Sequence, residues 1–168
     1  MVKQYAVEPF DSSRDRTGFS CGVPALDRYF HAQIGQDVRR YLAAAFVLIE
    51  KDTGDIAGYY TLSAAAIEVS DVPPEVTRKL PRYPSLPAAL IGRLAVDQRH
   101  RGRGAGSGLL ADALRRVLAS EIRAMAVIVD AKDDAAIAFY AHHGFQPLLD
   151  QPNRLYITLA DIARARGN

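Results

Sequence analysis

The densest chemistry in the chain lies in Leu94-Ala95-Val96-Asp97-Gln98-Arg99-His100-Arg101-Gly102-Arg103-Gly104-Ala105-Gly106-Ser107-Gly108-Leu109-Leu110. An apolar run is followed by four glycines and three arginines within ten residues, and then by the start of a helical pattern. Glycines let a backbone approach a ligand closely and adopt positive φ. The amides of a first helical turn point toward an anion, with the helix dipole behind them. This is the composition of a phosphate-holding loop. A Walker loop needs Lys and then Ser or Thr directly after its last glycine, and Gly108 is followed by Leu109, so that pattern fails. A dinucleotide fold would place the loop after the first strand of an alternating βαβ unit, whereas here it follows the fourth predicted strand.

Few other residues stand out. Tyr140, in Ile137-Ala138-Phe139-Tyr140, reads either as a core aromatic or as a proton donor, since a tyrosine with a pKa near ~10 keeps its proton at neutral pH. Arg93 is the one charge in an otherwise apolar strand, and a buried guanidinium must meet a carboxylate or reach a ligand. Arg39-Arg40, Arg78-Lys79 and Arg82 are candidate contacts for a nucleic-acid backbone. The histidines, His31, His100, His142 and His143, have no metal-ligand spacing with carboxylates or with Cys21, so no metal is expected. A positive charge on His142-His143 would suit a helix C-terminus. Cys21, the sole cysteine, reads as a small apolar residue near a helix start.

These residues need a scaffold, and the composition bounds it. With 168 residues, 49% apolar and 24% charged, the chain is expected to be a single domain over 1–168, able to bury roughly two-thirds of its unfolded surface. One cysteine excludes a disulfide framework and a Cys-rich zinc site. No apolar signal segment or membrane-length run is read, so a cytoplasmic location is expected, with no membrane partner. The net charge of +2 hides an uneven distribution: Arg93 to Arg123 holds seven arginines against Asp97, Asp112 and Glu121, a local balance of +4. Seventeen of the 21 basic residues are Arg, which suits bidentate phosphate recognition and also fits the codon bias of an alanine-rich chain.

Hydrophobic periodicity predicts a strand at Tyr5-Val7 and a helix from Pro24 to near Gly35. A hairpin follows from Tyr41–Ile49 and Ile56–Ala66, around the turn 51–55. Asp71 to Pro87 holds five of the nine prolines and is read as an excursion within one domain, with one short helix from Pro74 to Leu80. Then come a strand to Val96, a helix from Gly106, a strand at 124–129, and a helix capped by Asp133 or Asp134 and stopped by Gly144. Strands at 145–149 and 155–159 close the pattern around the turn Asp150-Gln151-Pro152-Asn153. The fold class is α/β (α+β).

Arg101-Gly102-Arg103-Gly104-Ala105-Gly106 resembles the acyl-CoA loop of the Gcn5-related N-acetyltransferases, Gln/Arg-x-x-Gly-x-Gly/Ala. The resemblance implies the GNAT fold: a mostly antiparallel mixed sheet of six to seven strands flanked by about four helices. It implies acetyl-CoA as cosubstrate, with the diphosphate on Arg101 to Ser107 and the pantetheine arm along Leu94-Ala95-Val96. Asp133 and Phe139 join that cofactor set, and Tyr140 is implied beside the sulfur as its proton donor. At subfamily level, Phe19-Ser20-Cys21-Gly22, Leu26-Asp27-Arg28-Tyr29, Gly58-Tyr59-Tyr60-Thr61-Leu62-Ser63, Arg93-Leu94-Ala95-Val96-Asp97 and Ala138-Phe139-Tyr140 resemble the acetyltransferase toxins of type II toxin–antitoxin systems.

That resemblance implies acetylation of the α-amino group of aminoacyl-tRNA, which blocks translation, and a ribbon-helix-helix antitoxin as partner. Operator DNA would be met only through the antitoxin complex, and homodimerisation is left open. The candidate contacts for that tRNA, taken from their charge and not from the resemblance, are Arg93, Arg39, Arg40, Arg78 and Lys79. Two alternatives carry the same fold: an acetyltransferase of a small-molecule amine, which would favour an acidic acceptor pocket, and a non-catalytic acyl-CoA-binding corepressor.

Overall fold

The structure is a computed structural model, and it describes residues 4–167. Seven strands form one mixed sheet in the order β1-β2-β3-β4-β5-β7-β6. They are β1 (Tyr5–Pro9), β2 (Ala44–Glu50), β3 (Ile56–Glu68), β4 (Ser85–Val96), β5 (Ala126–Asp130), β6 (Gln146–Leu148) and β7 (Gln151–Thr158). The β1–β2, β2–β3, β5–β7 and β6–β7 pairings are antiparallel. β4 and β5 run parallel, from Ala88↔Ala126 to Ile91↔Val129, so their connection must cross over, and a helix supplies it. The helices are α1 (Pro24–Arg28), α2 (Ile34–Arg39), α3 (Pro74–Thr77), α4 (Ala105–Ala119), α5 (Asp134–His142) and α6 (Leu159–Ala165). The mixed sheet agrees with the expected fold, and three of these helices have six residues or fewer.

The described residues divide into two compact units, one built from the chain up to Ser63 with Gly92–Ala113, the other from Ala64–Ile91 with Leu114 onward. The first unit centres on an aromatic cluster. Phe30 stacks on Tyr59 with ring centres 4.4 Å apart, Phe19 lies 4.7 Å from Phe30, and Ile34, Val47, Ile49 and Ala95 complete the core. The predicted first helix runs further than Gly35. It begins at Pro24, where a missing N–H costs nothing, passes through a π-helical segment at Tyr29–Gln33 and continues as α2 to Arg39. The second unit packs Ile67, Val72, Leu86, Ala126, Ile128 and Tyr156 together.

The proline-rich excursion belongs wholly to the second unit. Its neck is closed by the Val69 N–H donating to Pro84 O at 3.1 Å, and its helix α3 is shorter than predicted, ending at Thr77. The predicted turn at 150–153 is corrected. Gln151-Pro152-Asn153 already belongs to β7, and the connection is Leu149-Asp150, with Asp150 at φ 59. Proline is tolerated there because the β6–β7 register shifts between Pro147 and Leu148, leaving Pro152 at an irregularity.

Candidate active site

β4 feeds the glycine loop directly, and the root of that loop is fastened at several points. Asp97, 1% exposed, caps the short turn Gln98–His100. Its carboxylate accepts from Ser20 N at 3.0 Å, Arg99 N at 2.8 Å and Arg99 Nε at 2.9 Å. Burial pushes the Asp97 carboxyl up, but the bonds from Arg99 and from the Ser20 and Arg99 amides outweigh it and hold it below the usual carboxylate range. His100 Nδ1 lies 2.9 Å from Tyr5 Oη and 3.3 Å from Glu50 Oε2, with His100 and Glu50 both buried. Gln98 N–H donates to Ser20 O at 2.9 Å, and the Arg101 guanidinium donates to Cys21 O. Gly22 is where this docking needs glycine, because its φ of +85 is one that L side chains rarely adopt; a Cβ would also displace the end of the Gln98 side chain, 2.6 Å away. The buried Cys21 thus sits in the seam that carries the loop.

Above this root the chain opens. Gly102 and Gly104 take φ +74 and +76, and a Cβ on either would meet nothing within 4 Å. The helical ladder of α4 begins with Gly108 N–H to Gly104 O at 2.9 Å, so Ala105, Gly106 and Ser107 occupy the first turn. Of the loop arginines, Arg99 is engaged with Asp97 and Arg101 with the Cys21 carbonyl, while Arg103 is exposed on the loop. Gly58 brings β4 and α4 close to β3: a Cβ there would lie 2.8 Å from both Ala95 O and Leu109 Cδ1.

On β4, Ala95 is buried while Leu94 and Val96 are half-buried. Arg93 was expected to meet a carboxylate or a ligand. Among the described residues it forms no ion pair, and its guanidinium lies 3.6 Å from the centre of the Tyr29 ring. Tyr29 Oη donates to Asp37 Oδ2 at 2.8 Å; burial first, and then Asp37, push the Tyr29 hydroxyl up to about 12. The Arg93 N–H donates to Thr61 Oγ1 at 3.1 Å. Arg39 and Arg40 are exposed at the end of α2.

The other predicted residues lie in the second unit. Tyr140, 8% exposed, is on α5, with its ring 5.1 Å from Phe139 and 5.4 Å from Phe145. Burial pushes its hydroxyl up to about 12, so it holds its proton throughout the physiological range. Phe139 is half-buried against His143, with ring centres 4.9 Å apart. The Asp133 carboxylate accepts from Ala136 N at 2.8 Å, which makes it the cap of α5. His143 departs from the expected positive charge: burial, and then His142, lower its pKa. Arg78 and Lys79 are exposed just beyond α3. Among the described residues no group of three or more His, Cys, Asp or Glu is placed to hold a metal ion, and no helix is long and apolar enough to cross a membrane.

Residues 12–145 match the model of the acetyltransferase (GNAT) family. The chain belongs to that family. A tRNA-acetylating toxin of Mycobacterium tuberculosis (strain ATCC 25618 / H37Rv) is 36% identical over 156 residues, covering 92% of each chain. A solved structure of AtaT complexed with acetyl-methionyl-tRNAfMet is similar with a TM-score of 0.90 and 26% identity, over 97% of this chain and 99% of that one. A structure of AtaTR bound with AcCoA is similar with a TM-score of 0.84 and 27% identity, over 99% of each chain.

In this GNAT chain the loop suits a coenzyme A diphosphate. Its two left-handed glycines leave open space, a fifteen-residue helix begins behind it, and an exposed arginine stands on it. Sequence reasoning missed the anchoring parts, Asp97, Glu50 with His100, Gly58 and Thr61. Three of them had a signal: Gly58, Thr61 and Asp97 stand inside the motifs that carry the resemblance, each in or beside an apolar run.

Proposed function

We infer that this chain is a toxin-type N-acetyltransferase that moves the acetyl group of acetyl-CoA onto the α-amino group of an aminoacyl-tRNA and thereby blocks translation. The observation that carries this reading is the 36% identity to a tRNA-acetylating toxin across 92% of both chains. The phosphate-holding loop accompanies it at the position the chemistry needs, directly after β4. The whole chain serves as one catalytic domain.

Acetyl-CoA supplies a thioester: the acetyl carbon ends on the amine nitrogen and the sulfur leaves as a thiol. The amides of Arg101 to Ser107 hold its diphosphate, and Leu94 to Val96 hold its arm through their backbone, one amide polarising the acetyl carbonyl. Tyr140 gives its Oη proton to the departing sulfur, and the proton that the amine nitrogen loses on acylation passes to solvent, from which Tyr140 is re-protonated. The acceptor needs less help than a lysine would, since a free α-amino group titrates near ~7.7–8.0 against ~10.4 for lysine, so no dedicated base is assigned. Arg78 and Lys79 contact the tRNA backbone, and Arg39 and Arg40 do the same from the end of α2. Arg93, on β4 and over the Tyr29 ring, contacts the terminal phosphate-sugar region of the tRNA. A ribbon-helix-helix antitoxin covers the acceptor surface, and operator DNA is reached through that complex.

The test is acetyl transfer from labelled acetyl-CoA to charged tRNA, compared with transfer to polyamines. Label on the aminoacyl end, and a loss of roughly 10²–10⁴ in turnover for Tyr140→Phe with acetyl-CoA binding intact, is the expected result. Label on a polyamine and none on charged tRNA would overturn the substrate assignment. Unchanged turnover in Tyr140→Phe would remove Tyr140 from the chemistry.

A further inference from the structure

Helix α2 ends in a Schellman motif whose turning residue is a tyrosine. Tyr41 N–H donates to Val38 O at 3.2 Å and Leu42 N–H donates to Asp37 O at 2.9 Å, with Arg40 as the C-cap. That pairing requires the residue after the cap to turn left-handed, and Tyr41 does so at φ 59. Glycine is the usual occupant, because a Cβ in this conformation crowds the following carbonyl. A large side chain placed there normally recovers the cost by packing. Tyr41 does not: it is 95% exposed, and Leu42 beside it is 62% exposed.

Its neighbours carry charges without an ionic partner. Arg39 and Arg40 precede it, both exposed, and neither forms an ion pair among the described residues. Arg40 does bond the Gln36 side-chain oxygen at 2.9 Å, with the Gln36 amide oriented to accept, but that partner is neutral and leaves the charge uncompensated. An exposed ring held in a strained conformation beside two uncompensated guanidiniums suits single-stranded nucleic acid. A base has a face to stack on the ring, and planar forks match the phosphates on either side. Protein interfaces, in contrast, are depleted of charge at their centres.

We propose that Tyr41 is an RNA-stacking residue: a base from a single-stranded segment of the tRNA substrate lies on its ring while Arg39 and Arg40 hold the adjoining phosphates. This rests on the reading of aminoacyl-tRNA as substrate. The strained turn is thereby explained as a cost kept for binding.

The experiment measures binding of a labelled single-stranded oligoribonucleotide of about ten nucleotides by anisotropy across salt concentrations, together with thermal melting and the KM for aminoacyl-tRNA. Tyr41→Ala should weaken oligonucleotide binding roughly tenfold and raise the KM for aminoacyl-tRNA, while Tyr41→Phe keeps both. Tyr41→Gly should bind as poorly as Tyr41→Ala yet melt above the wild type, because the turn is relaxed. Arg39→Gln and Arg40→Gln should each reduce the salt slope by about 0.7. Wild-type RNA affinity in Tyr41→Ala would overturn the proposal, and so would a loss confined to self-association or antitoxin binding, which would make this corner a protein-docking face. The two readings fail separately. A wild-type enzyme that acetylates no aminoacyl-tRNA refutes the substrate, whereas one that acetylates it with the same KM in Tyr41→Ala refutes only the stacking.

Discussion

Two hydroxyls in this chain, those of Tyr29 and Tyr140, are pushed up to about 12 by burial, but their surroundings differ. Tyr29 donates a hydrogen bond to the Asp37 carboxylate and carries the Arg93 guanidinium on its face, so it is occupied with structure. For Tyr140 burial alone accounts for the shift. A donor that titrates this high imposes no falling limb on activity near neutrality, while the acceptor must lose its proton near ~7.7–8.0. The ratio kcat/KM should therefore rise from pH 6 and level off by about pH 9 without a descending branch, measured by initial rates on charged tRNA. A fall beginning near pH 7 would point to a histidine instead. Asp97 gives a stability prediction at the same scale. Its folded pKa is depressed, so its contribution is complete above the unfolded value near ~3.9 and disappears as pH falls through the folded one. Replacing it with alanine should cost on the order of 3 kcal/mol at pH 7, and urea unfolding should show the wild-type advantage shrinking below about pH 4.

Elements position these residues through close approach, and Gly58 is the clearest case. A methyl group there collides with a β4 carbonyl and an α4 side chain, both at 2.8 Å, so strand and helix must move apart. Gly58→Ala should cost about 1–3 kcal/mol in thermal unfolding and weaken acetyl-CoA binding by calorimetry, since β4 and α4 carry the two halves of its site. Gly108→Ala meets nothing within 4 Å and should be neutral or stabilising by up to about 1 kcal/mol. The loop itself was legible because glycine spacing and the flanking apolar periodicities are local signals. Its anchors were not, because Asp97 with Ser20 and His100 with Glu50 are 77 and 50 positions apart and only the fold joins them. Pro152 misled the reading of β7 because a proline punctuates a strand unless a register shift absorbs it. Helix α6 was missed although Thr158-Leu159-Ala160-Asp161 announces it: Thr158 Oγ1 accepts from Asp161 N at 3.1 Å.

Across the whole molecule the net charge of +2 says little, because basic residues differ in how they are engaged. Arg99, Arg101, Arg14 and Arg154 are bound to carboxylates or a carbonyl within the chain. Arg39, Arg40, Arg78 and Lys79 stay exposed. Neutralising Arg78 and Lys79 together should flatten the salt dependence of tRNA binding by about 0.7–0.9 per lost phosphate contact, read from affinities at several ionic strengths. Identical slopes would exclude this patch. The same excursion has a further property. Its base is fixed, since Val72 lies in the core of the second unit and Asp71 O accepts from Leu149 N–H at 2.8 Å, whereas its tip, Pro81-Arg82-Tyr83, is exposed. A change of length confined to residues 81–83 therefore carries only the small entropic cost of a longer or shorter loop and leaves the core beneath it as it is, which makes this tip the place to insert a peptide tag or probe.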